Sequence, residues 1–392
     1  MGVAQLQSMN LSAIDDLKPY AVGLAQQLIQ FPTENPPGRD YHNCAEFLKK
    51  ECETLGLETE IVQVEATDRY NVLAWTSTRK TDLHFHCHYD VVPAGHGWAY
   101  NPFSGSIVDG TLYGRGSSDM KGGIAAVFTA LKAVQNLEDI SISVSLTPDE
   151  ETGGALGAEY VVKNQLVDTK MAVLPEPTGL KTMFNACKGA LWVQVTVHGE
   201  AGHPSVKGLG VNAFDRMVVI ASRLQKLKEI VEHKKSALHS YPEGGEWANL
   251  TLGGRCSSGE AVNAVPGQAL FTIDRRTLPE EDLETAQQEI RECIGKDAEI
   301  TVLMEARPFH IDEQTDVCQL LNTASETVMR TSVNCALCPG FLDARHFVHA
   351  GIPCVTWGPG IYGNAHISNE FIRIEDMMTA AKVFYVMATT TT

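Results

Sequence analysis

The sequence predicts an α/β protein whose larger domain is interrupted by a smaller α+β domain. The chain has 392 residues, and at about 100–200 residues per domain this length favours two domains over one. Strand and helix patterns interleave in the first part of the chain and again near its end, which indicates an α/β sheet. Between these regions, apolar residues alternate as they do in an antiparallel sheet with one solvated face.

The first α/β segment is predicted from the spacing of its apolar residues. Helical spacing predicts helices, and short β-branched or alternating runs predict strands. The run at 140–146 alternates aliphatic residues with serines, which predicts one buried and one exposed face. The expected elements are helices at 14–30, 43–55 and 120–134 and strands at 58–64, 71–75, 81–89, 140–146 and 171–174.

The pattern changes near Phe184, where the inserted domain is predicted to begin. Its expected elements are strand 191–197, helix 212–233, strands 248–252 and 269–273, helix 281–294 and strand 299–303. The α/β pattern then resumes with helix 317–329, strand 352–357, helix 374–388 and a tail at 389–392. We predict that residues 1–182 and 299–392 form the two parts of the larger domain and that residues 183–298 form the inserted domain.

The charge balance restricts the possible partners. Lys and Arg number 31 against 48 Asp and Glu, a formal net charge of −17. Nucleic acids and anionic membranes require a basic surface, so we expect neither as a partner. No apolar run approaches the ~20 residues of a membrane span, and residues 1–10 lack the basic and apolar regions of a signal peptide. We expect a cytoplasmic protein that acts on a small molecule.

The cysteines predict neither a disulfide framework nor a structural zinc site. There are ten, scattered along the chain, and Cys335 and Cys338 form a single CxxC pair. A chain of this size does not need disulfides to fold, and a structural zinc site usually requires a second pair of ligands. We therefore expect reduced thiols.

Side chains able to bind metal follow several of the predicted strands. In open α/β sheets, sites form beyond the carboxyl ends of the strands, so these groups are expected to converge. Each acidic turn alone could simply be solvated, and Asp119 alone could cap the following helix. The coincidence of separate loops at one sheet edge favours a metal site. The candidates are His88, Asp90, Asp119, Glu150, Glu151, Glu176 and His366.

This set of residue types suits hydrolysis. A mixed His and carboxylate set suits zinc, with cobalt or manganese as alternatives. Two metals about 3.5–4 Å apart need a carboxylate that bridges them and a water whose pKa they lower. A separate carboxylate must accept the proton of that water. Successive side chains at a strand end point in different directions, so Glu150 and Glu151 can divide the roles of base and ligand.

Short motifs along nearly the whole chain identify a family. They are His86–Pro93 (HCHYDVVP), Trp98–Phe103 (WAYNPF), Gly110–Gly123 (GTLYGRGSSDMKGG), Asp149–Glu151 (DEE), Glu176–Thr178 (EPT), Lys188–Gly189, Gly202–His203 and Ala365–His366. In this combination and order, the chain resembles the M20 metallopeptidases, the family of acetylornithine deacetylase, succinyl-diaminopimelate desuccinylase, aminoacylase-1 and the glutamate carboxypeptidases. The resemblance implies a two-zinc exopeptidase-like catalytic domain with an inserted lid and dimerisation domain.

The resemblance also implies roles for individual residues of the catalytic domain. Asp119 would bridge two metal ions, and a cis peptide bond often follows this residue in the family. His88 and Glu176 would complete one metal site. Glu151 and His366 would complete the other.

Two further roles follow from the same resemblance. Glu150 matches the general base of the family. Asp90 matches the carboxylate that orients the first histidine, a pairing that is usual at metal sites.

In the inserted domain, the resemblance assigns substrate contacts. His203 matches a histidine that polarises the scissile carbonyl, typically in the active site of the partner subunit, which implies a homodimer. Asn263 and Arg276 match positions that grip a substrate carboxylate, and Lys188 is a further candidate. Without the resemblance, His203 could be a surface histidine, and Arg276 could pair with a surface acid such as Glu280.

The resulting functional hypothesis is a metal-dependent amidohydrolase that removes an acyl group from an N-acyl amino acid or related small amide, as acetylornithine deacetylase and the desuccinylases do. Three alternatives stay open: a carboxypeptidase or dipeptidase acting on short peptides, a specialised catabolic amide hydrolase or deaminase, and a non-catalytic binding protein on the same fold. The string GPGIYG at 358–363 fits GxGxxG, but it contains Pro359 and leads into the His366 loop, so it does not predict a nucleotide site.

Overall fold

The computed structural model describes residues 11–134, 136 and 140–391. The expectation that residues 1–10 contain no signal peptide therefore lies outside the described residues. The chain divides into two compact units. The larger unit comprises Met1–Asn185, Ile311–Cys335 and Leu342–Thr392, and the smaller comprises Ala186–His310 and Ala336–Phe341.

Helices and strands alternate through the chain. The helices are α1 (Ser12–Asp16), α2 (Lys18–Gln30), α3 (Tyr41–Thr54), α4 (Gly122–Ala133), α5 (Ala158–Lys163), α6 (Ala213–Val231), α7 (Leu283–Ile294), α8 (Asp316–Met329), α9 (Ala344–His349) and α10 (Ile374–Thr390). The strands are β1 (Glu58–Gln63), β2 (Tyr70–Trp75), β3 (Lys80–His88), β4 (Ser106–Val108), β5 (Thr111–Tyr113), β6 (Ile142–Thr147), β7 (Asp168–Leu174), β8 (Thr182–Cys187), β9 (Gly189–His198), β10 (Asn249–Ser258), β11 (Gln268–Thr277), β12 (Ala298–Ala306), β13 (Phe309–His310), β14 (Asn334–Cys338), β15 (Cys354–Thr356) and β16 (Phe371–Arg373).

The larger unit contains a mixed sheet with strand order β1-β2-β6-β3-β7-β15-β8. Strand β3 is parallel to both β6 and β7, and β15 is parallel to β7. His88 at the end of β3 lies beside Thr147 at the end of β6, and Thr356 lies beside Leu174. The carboxyl ends of these four strands therefore meet at one edge, and the loops that carry the candidate residues leave from it.

Helix α4 is buried along most of its length and packs against α10 and α2. Its first residues are small, and this permits a close approach. A Cβ added at Gly123 would collide with the backbone carbonyl of Pro175. The glycine thus lets the loop after β7 lie against the start of α4, and this contact brings Glu176 toward the Asp119 loop.

The sequence prediction for β6 is wrong in one respect. All of its residues are buried, whereas the alternation of serines predicted an exposed face. The two imidazole nitrogens of His84 lie 2.8 Å from the hydroxyls of Ser143 and Ser145, and Nδ1 of His86 lies 2.7 Å from Ser145 Oγ. Because these polar side chains satisfy one another, the serines can be buried without water.

In the smaller unit, strands β10-β11-β9-β12 form an antiparallel sheet. The predicted alternation on β9 is confirmed, since Leu191, Val193, Val195 and Val197 are fully buried and pack with residues of α6 and α7. Helix α6 begins at an Asn212 cap, whose side chain accepts hydrogen bonds from the backbone N–H groups of two residues in the first turn, a frequent way to start a helix.

The predicted boundary at residue 299 differs from the structure. Strand β12 (Ala298–Ala306) pairs with β9 over most of its length, so it belongs to the smaller unit and not to the second part of the larger domain. The expected tail at 389–392 also differs, because α10 continues to Thr390. Strands β4, β5, β8, β13, β14 and β16 and helices α5 and α9 were not predicted.

Two expectations about the whole chain can be compared with the structure. Among the described residues, no helix combines the length and the apolar character needed to cross a membrane. All ten cysteines lie within the described ranges, and none of them forms a disulfide there.

Candidate active site

Loops at the carboxyl edge of the large sheet present the predicted ligands. Strand β3 ends in His88 itself. After β6, Asp149 adopts a positive φ of 84° and a 3₁₀ turn at Glu150–Thr152 follows. This tight reversal presents Glu150 and Glu151 at the sheet edge. Glu176 follows two residues after the end of β7.

Asp119 lies in an irregular loop before α4. Gly116 has a φ of 84°, and an added Cβ there would lie 2.6 Å from Val91 Cγ1, so this turn requires glycine. Asp119 and Met120 have non-helical backbone angles, and the peptide bond between them is cis. The cis bond suggested by the family resemblance is therefore confirmed.

The two carboxylate oxygens of Asp119 face two different histidines. Oδ1 lies 3.2 Å from Nε2 of His88, and Oδ2 lies 3.4 Å from Nε2 of His366. Nε2 of His366 also lies 3.0 Å from Oε2 of Glu151. Ligand atoms of Asp119, Glu151 and His366 all fall within 4.8 Å of one another. This arrangement resembles a carboxylate shared between two adjacent cation sites.

Glu151 is held in place through its other oxygen. Its Oε1 accepts a hydrogen bond of 3.1 Å from the backbone N–H of Val92. The carboxylate thus has one oxygen occupied by the protein and the other directed at His366.

Glu176 fits a cation site for a different reason. Its side chain is buried, and among the described residues its Oε1 has no hydrogen-bond partner. Burial raises the pKa of Glu176 to about 8 and raises the pKa of the neighbouring base candidate Glu150 well above its usual value. A buried polar atom without a partner is costly, and a divalent cation would compensate for it. The donor set of imidazole nitrogens and carboxylate oxygens is the set such cations bind.

The electrostatics of the cluster also favour the binding of cations. Hydrogen bonds to Asp119 and Glu151 raise the pKa of His366 to about 11. Burial acts to lower the pKa of His88, but its hydrogen bonds to Asp119 and Asp90 raise it well above its usual value. The clustered carboxylates therefore stabilise positive charge between them. Either protonated histidines or metal cations can carry that charge.

Asp90 connects the two halves of the cluster. Its Oδ1 lies 3.4 Å from Nδ1 of His88, and its carboxylate accepts hydrogen bonds from the backbone N–H groups of Glu150 and Glu151. Asn35, which the sequence analysis missed, donates to Asp90 Oδ2 at 2.9 Å. No periodicity or motif marks Asn35, because it follows a helix in a proline-rich loop far from the other site residues.

The buried acid Asp343 was also missed. It lies 3.4 Å from Nε2 of His86, and an added Cβ at Gly154 would collide with its Oδ1. Arg345 donates a 2.5 Å hydrogen bond to the carbonyl of Gly153. The segment after β14 thus packs against the end of the turn that carries Glu150 and Glu151.

Comparison with known families shows which family has this fold. The profile of Peptidase family M20/M25/M40 matches residues 84–390. The chain belongs to this family. Its mixed α/β fold is the fold of M20 structures, and as an M20 member it is a metal-binding hydrolase. The predictions of family, fold class and enzyme are confirmed, so a non-catalytic protein on this fold is disfavoured.

Individual M20 relatives are similar along most of the chain. Aminoacylase-1 of Sus scrofa is 27% identical over 361 residues, which cover 86% of each protein. A probable succinyl-diaminopimelate desuccinylase of Staphylococcus epidermidis is 27% identical over 392 residues, covering 93% of this chain and 95% of the relative. The structure of an M20 family metallo-carboxypeptidase from Sulfolobus solfataricus superposes with a TM-score of 0.77 at 21% identity, covering 95% of this chain and 98% of that one.

The remaining candidate residues of this M20 protein lie in the smaller unit. His203 is exposed, and its Nδ1 lies 2.6 Å from Ser205 Oγ. Asn263 is also exposed. Lys188 is buried and donates to the carbonyl of Trp247 and, at 3.0 Å, to Asn249 Oδ1.

Arg276 pairs with a partly exposed acid, as the alternative from the sequence allowed, but the acid is Asp274 and not Glu280. Its Nε and Nη2 donate to the two oxygens of Asp274 at 2.8 and 3.2 Å. The neighbouring Arg275 is fully buried and pairs with Glu281 at 2.5 Å. Strand alternation therefore places the two arginines on opposite faces. The guanidinium of Arg276 lies over two aromatic rings, those of Trp192 and Phe341.

Proposed function

We propose that this chain is a two-metal amidohydrolase that removes an acyl group from an N-acyl amino acid or a related small amide. The observation that carries the proposal is the position of Asp119, whose two oxygens face His88 on one side and His366 on the other. A bridging carboxylate requires this placement. Similarity to proteins named aminoacylase-1 and succinyl-diaminopimelate desuccinylase supports acyl removal.

The residues present would form two cation sites that share Asp119. His88 and Glu176 would complete one site, and Glu151 and His366 would complete the other. When bound, two divalent ions, with zinc expected and cobalt or manganese as alternatives, would supply a Lewis acid for the carbonyl and lower the pKa of the attacking water.

Glu150 is the proposed general base. Its carboxylate would accept a proton from the attacking water and return it to the nitrogen of the leaving amine. The hydrogen bond from its backbone N–H to Asp90 keeps the turn in place while this carboxylate remains available for proton transfer. His203 would polarise the scissile carbonyl and stabilise the developing negative charge on its oxygen.

The smaller unit is proposed to act as a lid and as the surface for homodimerisation. Helix α6 exposes Phe214, Val218, Val219 and Ile230, each between 45% and 65% exposed. Exposed apolar side chains that cluster on one element often mark a protein interface. In such a dimer, His203 would act in the site of the partner subunit, while Arg276, Asn263 and Lys188 would bind the carboxylate of the substrate. The expected location is the cytoplasm.

A substrate panel tests this proposal. Protein stripped with a chelator is expected to be inactive and to recover hydrolysis of N-acetyl, N-succinyl or N-formyl amino acids when zinc, cobalt or manganese is restored. Asp119→Asn, which removes one of the two bridging oxygens, is expected to stay inactive under the same conditions. Turnover of dipeptides without turnover of acyl amino acids would instead support the peptidase alternative. Full activity of metal-free protein would contradict the two-metal proposal.

A further inference from the structure

Glu370 is a fully buried acid with no role in the proposal above. Its Oε2 accepts hydrogen bonds from Arg115 Nη1 at 2.6 Å and from the backbone N–H of Gly116 at 3.0 Å. Its Oε1 accepts from the backbone N–H groups of Ser118 at 2.8 Å and Asp119 at 3.0 Å. A carboxylate has about four acceptor positions, so this one side chain is saturated.

Three of those four donors belong to the backbone of the loop that carries Asp119. This loop is neither helix nor strand at Gly116 and Asp119, so its N–H groups need partners from elsewhere in the molecule. The backbone carbonyl of Glu370 adds a further contact, since it accepts a 3.0 Å hydrogen bond from the N–H of Gly114. Glu370 therefore supplies the hydrogen-bond acceptors that a neighbouring strand would supply in a regular sheet.

Glu370 follows His366 closely in the chain. It therefore also connects the Asp119 loop to the segment that carries His366. The same segment thus presents the His366 imidazole to Oδ2 of Asp119 and binds the Asp119 backbone through Glu370. This contact therefore links two candidate ligands from distant parts of the chain.

We propose that Glu370 is a positioning residue that sets the place of Asp119 relative to His366 and thereby determines how tightly the centre holds its metal ions. This inference rests on the proposed two-metal function. Glu370 acts through the backbone of Asp119 and contacts neither substrate nor metal.

A simpler role for Glu370 would be to neutralise the buried Arg115. The guanidinium of Arg115 has other contacts, because its Nη2 lies 3.4 Å from the carbonyl of Ala94 and the group lies over the Trp98 ring. Two substitutions separate these roles. Arg115→Gln removes the charge partner and leaves the three backbone donors to Glu370, whereas Glu370→Gln turns one acceptor oxygen into an NH₂ group that opposes backbone N–H donors.

Calorimetric titration of zinc and cobalt into chelator-stripped protein is the test, with the visible spectrum of the bound cobalt as a second readout. Glu370→Gln is expected to lower metal affinity about 10–100-fold, the usual effect of removing a group that orients a ligand, and to alter the cobalt spectrum. Arg115→Gln is expected to lower the unfolding midpoint while it keeps the wild-type metal affinity and spectrum. Glu375→Gln, an exposed acid at the start of α10, is the matched control and is expected to behave as wild type.

Wild-type affinity and spectrum in Glu370→Gln would overturn the inference, and so would an equal loss of affinity in Arg115→Gln. If Glu370→Gln does not fold, the metal affinity of Glu370→Asp is measured instead. This variant keeps the charge beside Arg115 but is too short to reach every backbone donor, so it is expected to lose metal affinity, and unchanged affinity would refute the positioning role. A wild-type chain that binds no metal would overturn the proposed function itself, and this inference with it.

Discussion

The carboxylate of Asp90 and the backbone of Glu151 are joined by a hydrogen bond of 3.3 Å from the Glu151 N–H to Oδ2. Oδ1 of the same carboxylate accepts from the N–H of Glu150 at 3.3 Å and lies 3.4 Å from Nδ1 of His88. One buried side chain therefore orients a proposed metal ligand and also holds the turn that carries the proposed base.

Asp90→Asn is expected to weaken metal binding. An amide has one acceptor oxygen instead of two, so the variant cannot keep the contacts of Oδ1 with His88 and the Glu150 N–H together with the hydrogen bond from the Glu151 N–H to Oδ2. We expect metal affinity to fall about 10–100-fold, as measured by competition with a chelator of known affinity. Asp109→Asn, on an exposed turn between β4 and β5, is the control. Equal affinities in the two variants would show that Asp90 does not orient His88.

Glu150 and Glu151 are expected to give different phenotypes when each is changed to glutamine. Glu150→Gln should retain its metal and lose about 10²–10⁴ in kcat, because only the proton acceptor is removed. Glu151→Gln should lose metal on dialysis, because Oε2 of Glu151 is the atom that faces His366. Metal analysis and single-turnover kinetics distinguish the two variants. The reverse pattern would mean that the base and the ligand have been assigned to the wrong members of this pair.

Mixed dimers test the role of His203. Protein carrying His203→Ala and protein carrying Glu150→Gln should each be nearly inactive. If His203 acts in the site of the partner subunit, mixing them should restore part of the activity, because one site of each mixed dimer then contains both residues. Subunit exchange would be verified with differently tagged chains. Exchange without recovered activity would place His203 outside the partner's catalytic site.

Arg276 is expected to select substrates that carry a carboxylate. Its Nε and Nη2 are engaged by Asp274, which leaves Nη1 for a substrate. Arg276→Ala should cost about 2–4 kcal/mol of transition-state binding with the free acid, because a charged hydrogen bond is lost, and little with the corresponding methyl ester. The comparison is made through kcat/KM, with the exposed Arg255→Ala as control. A wild-type enzyme that hydrolyses acid and ester equally well would exclude this carboxylate clamp.

Lys188 is expected to make stability depend on pH. Burial lowers its pKa from 10.5 to about 8, so between these values the unfolded state binds more protons than the folded state. The free energy of unfolding contributed by Lys188 should therefore rise as the pH increases from about 8 toward 10.5. Urea unfolding of wild type and Lys188→Met across this range measures the difference. If the free energies of unfolding of the two proteins change with pH in parallel, the pKa of Lys188 is not lowered.

Local pattern was sufficient for much of the fold. The alternation of Leu191 to Val197 predicted β9 because one face of an antiparallel strand packs on a core while the other faces solvent. Part of the candidate ligand set was also accessible from sequence, because residues at the carboxyl ends of parallel strands converge at one edge. His88, Glu151 and Glu176 lie at or after the ends of such strands, whereas Asp119 reaches the same place from the loop between β5 and α4.

Only the tertiary structure decided which polar residues support that set. Ser143 and Ser145 read as solvent-facing, yet they are buried against His84 and His86, because the order of strands in the sheet sets β6 beside β3. Asn35, Asp343 and Glu370 likewise find their partners through contacts between distant segments. Hydrogen bonds of this kind depend on which loops come together in the folded chain. The residue pattern within a single segment does not predict those contacts. The sequence by itself therefore determined the family, most of the strands and the candidate metal-binding side chains, whereas the packing of loops determined what holds those side chains in place.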